Sequence, residues 1–131
     1  MYKIERTDYG FFLTFKGLIN RHEIESWYKD SVKALENIHQ PFGVMVDLCD
    51  LQTPLPIESQ SKLEEGQKYY KRRGLARSFV VLKNELTKIQ YMRIARNTGI
   101  HKNERYMDAS QHKNWKSIGL KWLIEGIEPE G

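Results

Sequence analysis

Val44-Met45-Val46-Asp47-Leu48-Cys49 and Ala76-Arg77-Ser78-Phe79-Val80-Val81-Leu82 decide the fold class. Both stretches are apolar on their two alternating sets of positions over Val44–Val46 and Phe79–Leu82, with Asp47 the polar interruption of the first. A strand with two apolar faces must be covered on both, which is the situation of a strand inside a parallel sheet.

The elements around them alternate in kind. Between the two strands, the loop Asp50-Leu51-Gln52-Thr53-Pro54-Leu55-Pro56 leads into a helix predicted over 57–73. Its apolar stripe of Leu63, Gly66 and Tyr70 is narrow, so much of this helix is expected to face water. Upstream, Asn20 followed by Glu23 predicts a capped helix running to about His39, with Ile24, Trp27, Ser31, Ala34, Leu35 and Ile38 inward and Pro41 and Gly43 ending it. At the start, Tyr2–Thr7 and Phe11–Lys16 read as strands paired around Asp8-Tyr9-Gly10, where glycine tolerates a turn's positive φ. Downstream, Asn84 caps a helix carrying Leu86, Ile89, Met92 and Ala95 to about Gly99. A short strand over Glu104–Met107 follows, and Asp108 or Ser110 starts a last helix with Trp115, Ile118, Gly119, Trp122 and Leu123 as its apolar stripe. Gly119 costs that helix about 1 kcal/mol relative to alanine, and close approach to the sheet is the expected compensation. The order predicts an α/β fold: a mixed, mostly parallel sheet of about five strands, opened by an antiparallel hairpin, with about four helices. Residues 1–125 are expected to form one domain and residues 126–131 a frayed tail.

Composition narrows the class. The 131 residues are 40% hydrophobic and 29% charged, with 3 Trp, 7 Tyr and 5 Phe, enough aromatic mass for a core and unlike a disordered chain. No run of about 18 apolar residues exists to cross a membrane. The first fifteen residues alternate charged with apolar side chains, so no signal peptide is expected. Cys49 is the single cysteine, which excludes an internal disulfide, and no Cys/His cluster suits zinc; a reducing cytoplasm is the expected setting. The net charge of +4 is unevenly spread: residues 1–67 carry 7 Lys/Arg against 11 Asp/Glu, and residues 68–131 carry 14 against 6. Such polarity either steers an anionic partner or favours head-to-tail association, including a homodimer, or is a bias of solvated helix faces.

Motifs for phosphate loops, dinucleotides, nucleophile elbows, zinc proteases and redox dithiols are missing, and no cofactor or metal is expected. Asp47 stands where α/β sheets bind ligands, near the carboxyl end of a buried strand. It is either a ligand acceptor or base, or it accepts backbone N–H bonds from its own loop. Asp50, Thr53 and Ser59, in the Pro-rich loop and first turn of the second helix, and Lys83 after the next strand, complete the candidate binding rim. An alternative surface is the run Lys68-Tyr69-Tyr70-Lys71-Arg72-Arg73 with Arg77, since cations interleaved with aromatics suit nucleic acid. Cations late in a helix also complement its dipole. A third reading is a small enzyme using Asp47 with Ser59 or Lys83.

From Tyr2 to about Ile124 the pattern resembles the SpoIIAA-like branch of the STAS superfamily. The carriers are the hairpin ending Phe15-Lys16-Gly17, then Val46-Asp47-Leu48, then Ala76–Leu82 leading into a helix, and Gly119-Leu120-Lys121-Trp122-Leu123. The resemblance implies a non-enzymatic module that binds a protein partner or a small ligand. Antagonists of that superfamily carry a phosphorylatable Asp-Ser pair at the start of the helix after the central strand; here the matching positions read Leu55-Pro56, and Ser59 follows Glu58 three residues late. The resemblance therefore implies binding without that switch.

Overall fold

The computed structural model describes residues 1–130. A five-stranded sheet in the order β1-β2-β3-β4-β5 is formed by Tyr2–Arg6, Gly10–Phe15, Phe42–Asp47, Leu75–Leu82 and Glu104–Asp108. The β1–β2 hairpin is antiparallel and the remaining pairs are parallel. Four helices accompany the sheet: α1 (Arg21–Ala34), α2 (Ile57–Arg72), α3 (Glu85–Thr98) and α4 (Trp115–Glu125), with a 3-10 turn over Ile100–Asn103. The mixed α/β sheet expected from the sequence is the sheet observed.

Topology decides which face each helix covers. The parallel strands follow one another in sequence order, so crossovers of one hand deposit α1, α2 and α3 together on one face. Helix α4, after the edge strand, folds back under β3 and β4 on the other. Alternation along the strands then sorts the core. Phe11, Leu13, Phe15, Val44, Val80 and Leu82 meet Ile24, Trp27, Leu63, Tyr70 and Ile94 on the three-helix side. Met45, Phe79, Val81 and Met107 meet Trp122 and Leu123 on the α4 side. Trp27 anchors the larger core, stacked on Tyr70 with ring centroids 5.7 Å apart and edge-on to Phe15. Gly119 does allow the close approach: a Cβ there would stand 2.5 Å from Phe79 Cδ2.

Several boundaries differ from the sequence expectation. Helix α1 stops at Ala34, because residues 35–38 tighten into turns whose carbonyls are capped: Arg73 Nη2 donates to the backbone oxygens of Leu35, Glu36 and Ile38 at 2.9–3.3 Å. Gly43 does not end that helix but lies within β3. Helix α4 begins at Trp115; Asp108 Oδ1 instead accepts from Ser110 N and Ser110 Oγ and closes a turn. The largest difference is the inner face of α3. Leu86 and Ile89 are 66% and 53% exposed, while Thr87, Gln90, Tyr91, Ile94, Ala95 and Thr98 point inward. Two of the inward polar side chains have partners there, Gln90 on backbone and Thr98 Oγ1 on Gln67 and Ala95, whereas the buried hydroxyls of Thr87 and Tyr91 have none. Residues 126–130 have no regular secondary structure, and Glu128 accepts two bonds from Arg105; Gly131 of the expected tail lies outside the described residues.

Candidate functional site: the carboxyl rim of the sheet

The register brings Thr14, Asp47 and Val81 into line across β2, β3 and β4, with Leu82 opposite Asp108 on β5. All four parallel strands thus end at one rim, and α2 and α3 both begin there. The loop after β3 is fixed to that rim by its backbone. Leu48 N donates to Val81 O at 2.8 Å, Gly17 N to Asp50 O at 2.9 Å and Gln52 N to Gly17 O at 3.0 Å, so the loop continues the parallel pairing as a Gly17–Leu51 bridge. Leu48, Leu51 and Leu55 are buried beneath it. Gln90 of α3 clasps the far end: Leu55 N donates to Gln90 Oε1 at 2.8 Å and Gln90 Nε2 donates to Leu55 O at 2.7 Å.

On this platform the candidate residues separate. Asp47 is half-buried and its Oδ1 accepts from Cys49 N at 2.9 Å, closing a turn of the kind Asp favours. The Cys49 thiol is pushed up to about 12, first by burial and then by the hydrogen bond and charge of Asp47, while Lys83 acts in the opposite sense and Asp50 adds to the rise. Asp47, Cys49, Asp50 and Lys83 therefore share one electrostatic neighbourhood, with the side chains of Asp50 and Lys83 in water. Thr53 is exposed on the loop. Ser59 is elsewhere: it lies fully buried on the inward stripe of α2 with Leu63, Gly66 and Tyr70, its hydroxyl without a partner. A serine in that position presents nothing to a phosphate donor or a ligand at the rim.

Three large aliphatic side chains join the rim that sequence reading had not assigned to it. Ile57, the first residue of α2, is 83% exposed, and Leu86 and Ile89 stand outward on the first turns of α3. Leu86 and Ile89 are neighbours at the i, i+3 spacing of a helix surface. The expectation that they were core hid them. Gln90, the residue that holds the loop, carried no signal beyond being polar inside an apolar pattern.

The basic run is split between roles. Besides Arg73 on the end of α1, Arg77 donates to Leu123 O and Ile124 O and lies over the Trp122 ring, closing the end of α4. Both guanidiniums complete helix C-termini, where free carbonyls and the dipole favour a cation. Lys68, Lys71 and Arg72 remain exposed on α2, Arg72 over the Tyr69 ring. Among the described residues, no group of three or more His, Cys, Asp or Glu side chains is placed to hold a metal ion, and no helix is long and apolar enough to cross a membrane.

No protein-family model and no curated protein matches the sequence. A solved structure is similar along most of the chain: an uncharacterized protein from the DUF3478 family with a SpoIIAA-like fold, from Shewanella loihica PV-4. It is 20% identical, with a TM-score of 0.60 over 94% of this chain and 92% of that one. Hairpin, parallel sheet and flanking helices together are a SpoIIAA-like fold.

Proposed function

We propose that this chain is a binding or regulatory module without catalysis, and that its carboxyl rim docks a protein partner. The observation that carries the reading is the exposure of Ile57, Leu86 and Ile89 at the starts of two helices on one end of the sheet. Aliphatic side chains set beside the polar groups of Asp50, Thr53 and Lys83 have the composition of an interface, an apolar centre with a polar rim. The state of the nearby reactive groups supports binding over chemistry. Asp47 is engaged by its own loop, the Cys49 thiol is held protonated at neutral pH, and Ser59 is buried. A lone, half-buried thiol also suits a reducing cytoplasm.

The test compares the wild-type chain with an Ile57→Asp/Leu86→Asp variant, its fold checked by circular dichroism. Immobilised wild type should retain a partner from the source lysate in a defined ratio, with hydrogen-exchange protection at 50–60 and 83–90 in the reconstituted pair. The variant should lose both retention and protection. Retention undiminished in the variant, or turnover of a compound in a metabolite panel by the wild type, would overturn the proposal.

A further inference from the structure

The edge of the sheet farthest from the hairpin carries a separate site. Strand β5 is last in the order, and a groove of about 360 Å3 runs between it and α3. Lys88, Met92 and Arg96 line it from one face of α3, spaced a turn apart, His101 from the 3-10 turn and Tyr106 from β5. Among the described residues, Lys88, Arg96 and His101 enter no ion pair. The other cation of the groove, Arg105, is taken: its guanidinium holds Glu128 and the carbonyls of Lys102 and Glu104 and lies 4.3 Å from the centre of the Trp122 ring.

The carboxylates nearby do not fill the place of an anion. Glu104 backs the groove but is buried, with Ser78 Oγ donating to it at 2.6 Å and the Tyr106 hydroxyl donating to its other oxygen. Burial pushes this carboxyl up, against the two hydroxyl bonds that pull it down. Asp108 is bonded to Ser110 and Glu128 to Arg105. Lys88 and Arg96 line the groove with Tyr106, and their charges reach the strand electrostatically, that of Arg96 at Tyr106 and that of Lys88 at Asp108. Basic side chains can serve simply to blunt an edge strand, but for that purpose they sit on the strand. These three project from the helix and the turn across from it.

We propose that this groove binds a small organic anion, with a phosphate or carboxylate held among Lys88, Arg96 and His101 and a flat apolar body laid against Met92 and Tyr106. Flexible thioether and phenol ring supply the apolar contact, the two unpaired cations Lys88 and Arg96 supply the charge-assisted hydrogen bonds, and the His101 imidazole adds a further hydrogen-bonding group. The reading does not depend on the rim.

The experiment is a two-dimensional amide NMR titration of the full chain at low salt with phenyl phosphate, benzoate, inorganic phosphate and phenol. Phenyl phosphate or benzoate should shift amides at 88–96 and 101–106 saturably, and whichever of the two binds tighter names the acid. Inorganic phosphate should bind more weakly for want of the body, and phenol should leave these amides unmoved. A Lys88→Ala/Arg96→Ala variant should weaken binding at least about tenfold, and the single Arg96→Glu should do so from an exposed position, its fold checked by circular dichroism because Arg96 lies in the last turn of α3. The proposal falls if neither organic anion gives saturable shifts, if affinity is unchanged in both variants, or if the shifts centre on Lys68, Lys71 and Arg72.

Discussion

Replacing Gly119 by alanine sets two known effects against each other on one atom. Helix propensity favours alanine by about 1 kcal/mol in a helix interior. The new Cβ, however, would stand 2.5 and 2.7 Å from Cδ2 and Cε2 of Phe79 and 2.8 Å from Met45 Cε. The methionine methyl can swing aside, but the Phe79 ring is wholly buried between the sheet and α4. Overpacking of this kind costs about 1–3 kcal/mol, and with a ring as the obstacle the upper end applies, leaving a net loss of about 1–2 kcal/mol after the propensity gain. For a chain of this size that lowers Tm by about 3–6 °C. The way the strain is relieved is visible too. Helix α4 must lift from the sheet, and Trp122 Nε1, which donates to Ser78 O at 2.9 Å, is the bond that lengthens. Thermal unfolding followed by circular dichroism gives the first number, and the indole N–H resonance of Trp122 moving upfield gives the second. A Gly119→Ala protein as stable as the wild type, with that resonance unmoved, would refute the packing argument and the placement of α4.

Glu104→Gln removes a buried titration. The native carboxyl is raised by burial, so the folded state holds a proton at pH values where the unfolded chain has released it. That stability is fully present below the ordinary glutamate range and is lost as pH rises through the raised value, at about 1.4 kcal/mol for each unit of displacement. The advantage of wild type over Glu104→Gln, measured by urea unfolding from pH 4 to 8, should therefore shrink with rising pH; a constant difference would refute it. Gln90→Ala should orphan the buried N–H and C=O of Leu55, at about 2–4 kcal/mol for the two groups. Amide exchange at Leu55 should then accelerate far more than in the centre of β3, and uniform acceleration would show that Gln90 does not hold the loop specifically.

Periodicity and punctuation were enough for much of this protein. Val44–Val46 and Phe79–Leu82 demanded cover on both faces, Asn20 and Asn84 offered side-chain oxygens that do accept from Glu23 N and Thr87 N, and Asp8-Tyr9-Gly10 supplied the turn of the hairpin. These are local effects, set within a few residues by backbone sterics, capping and the need to hide apolar side chains, so the sequence by itself determined them. The inner face of α3 went the other way because a helix with apolar residues on two sides can turn either inward. Gln90 and Thr98 found partners 35 and 31 residues away, and that satisfaction left Leu86 and Ile89 in water. Arg73 and Arg77 looked like members of one basic surface until the chain brought the ends of α1 and α4 to them. Nothing local distinguishes a cation that faces solvent from one that meets a carbonyl far along the chain. Which polar groups are satisfied, and so which apolar ones are left exposed, was decided only by tertiary structure, because a hydrogen bond needs both of its ends in place.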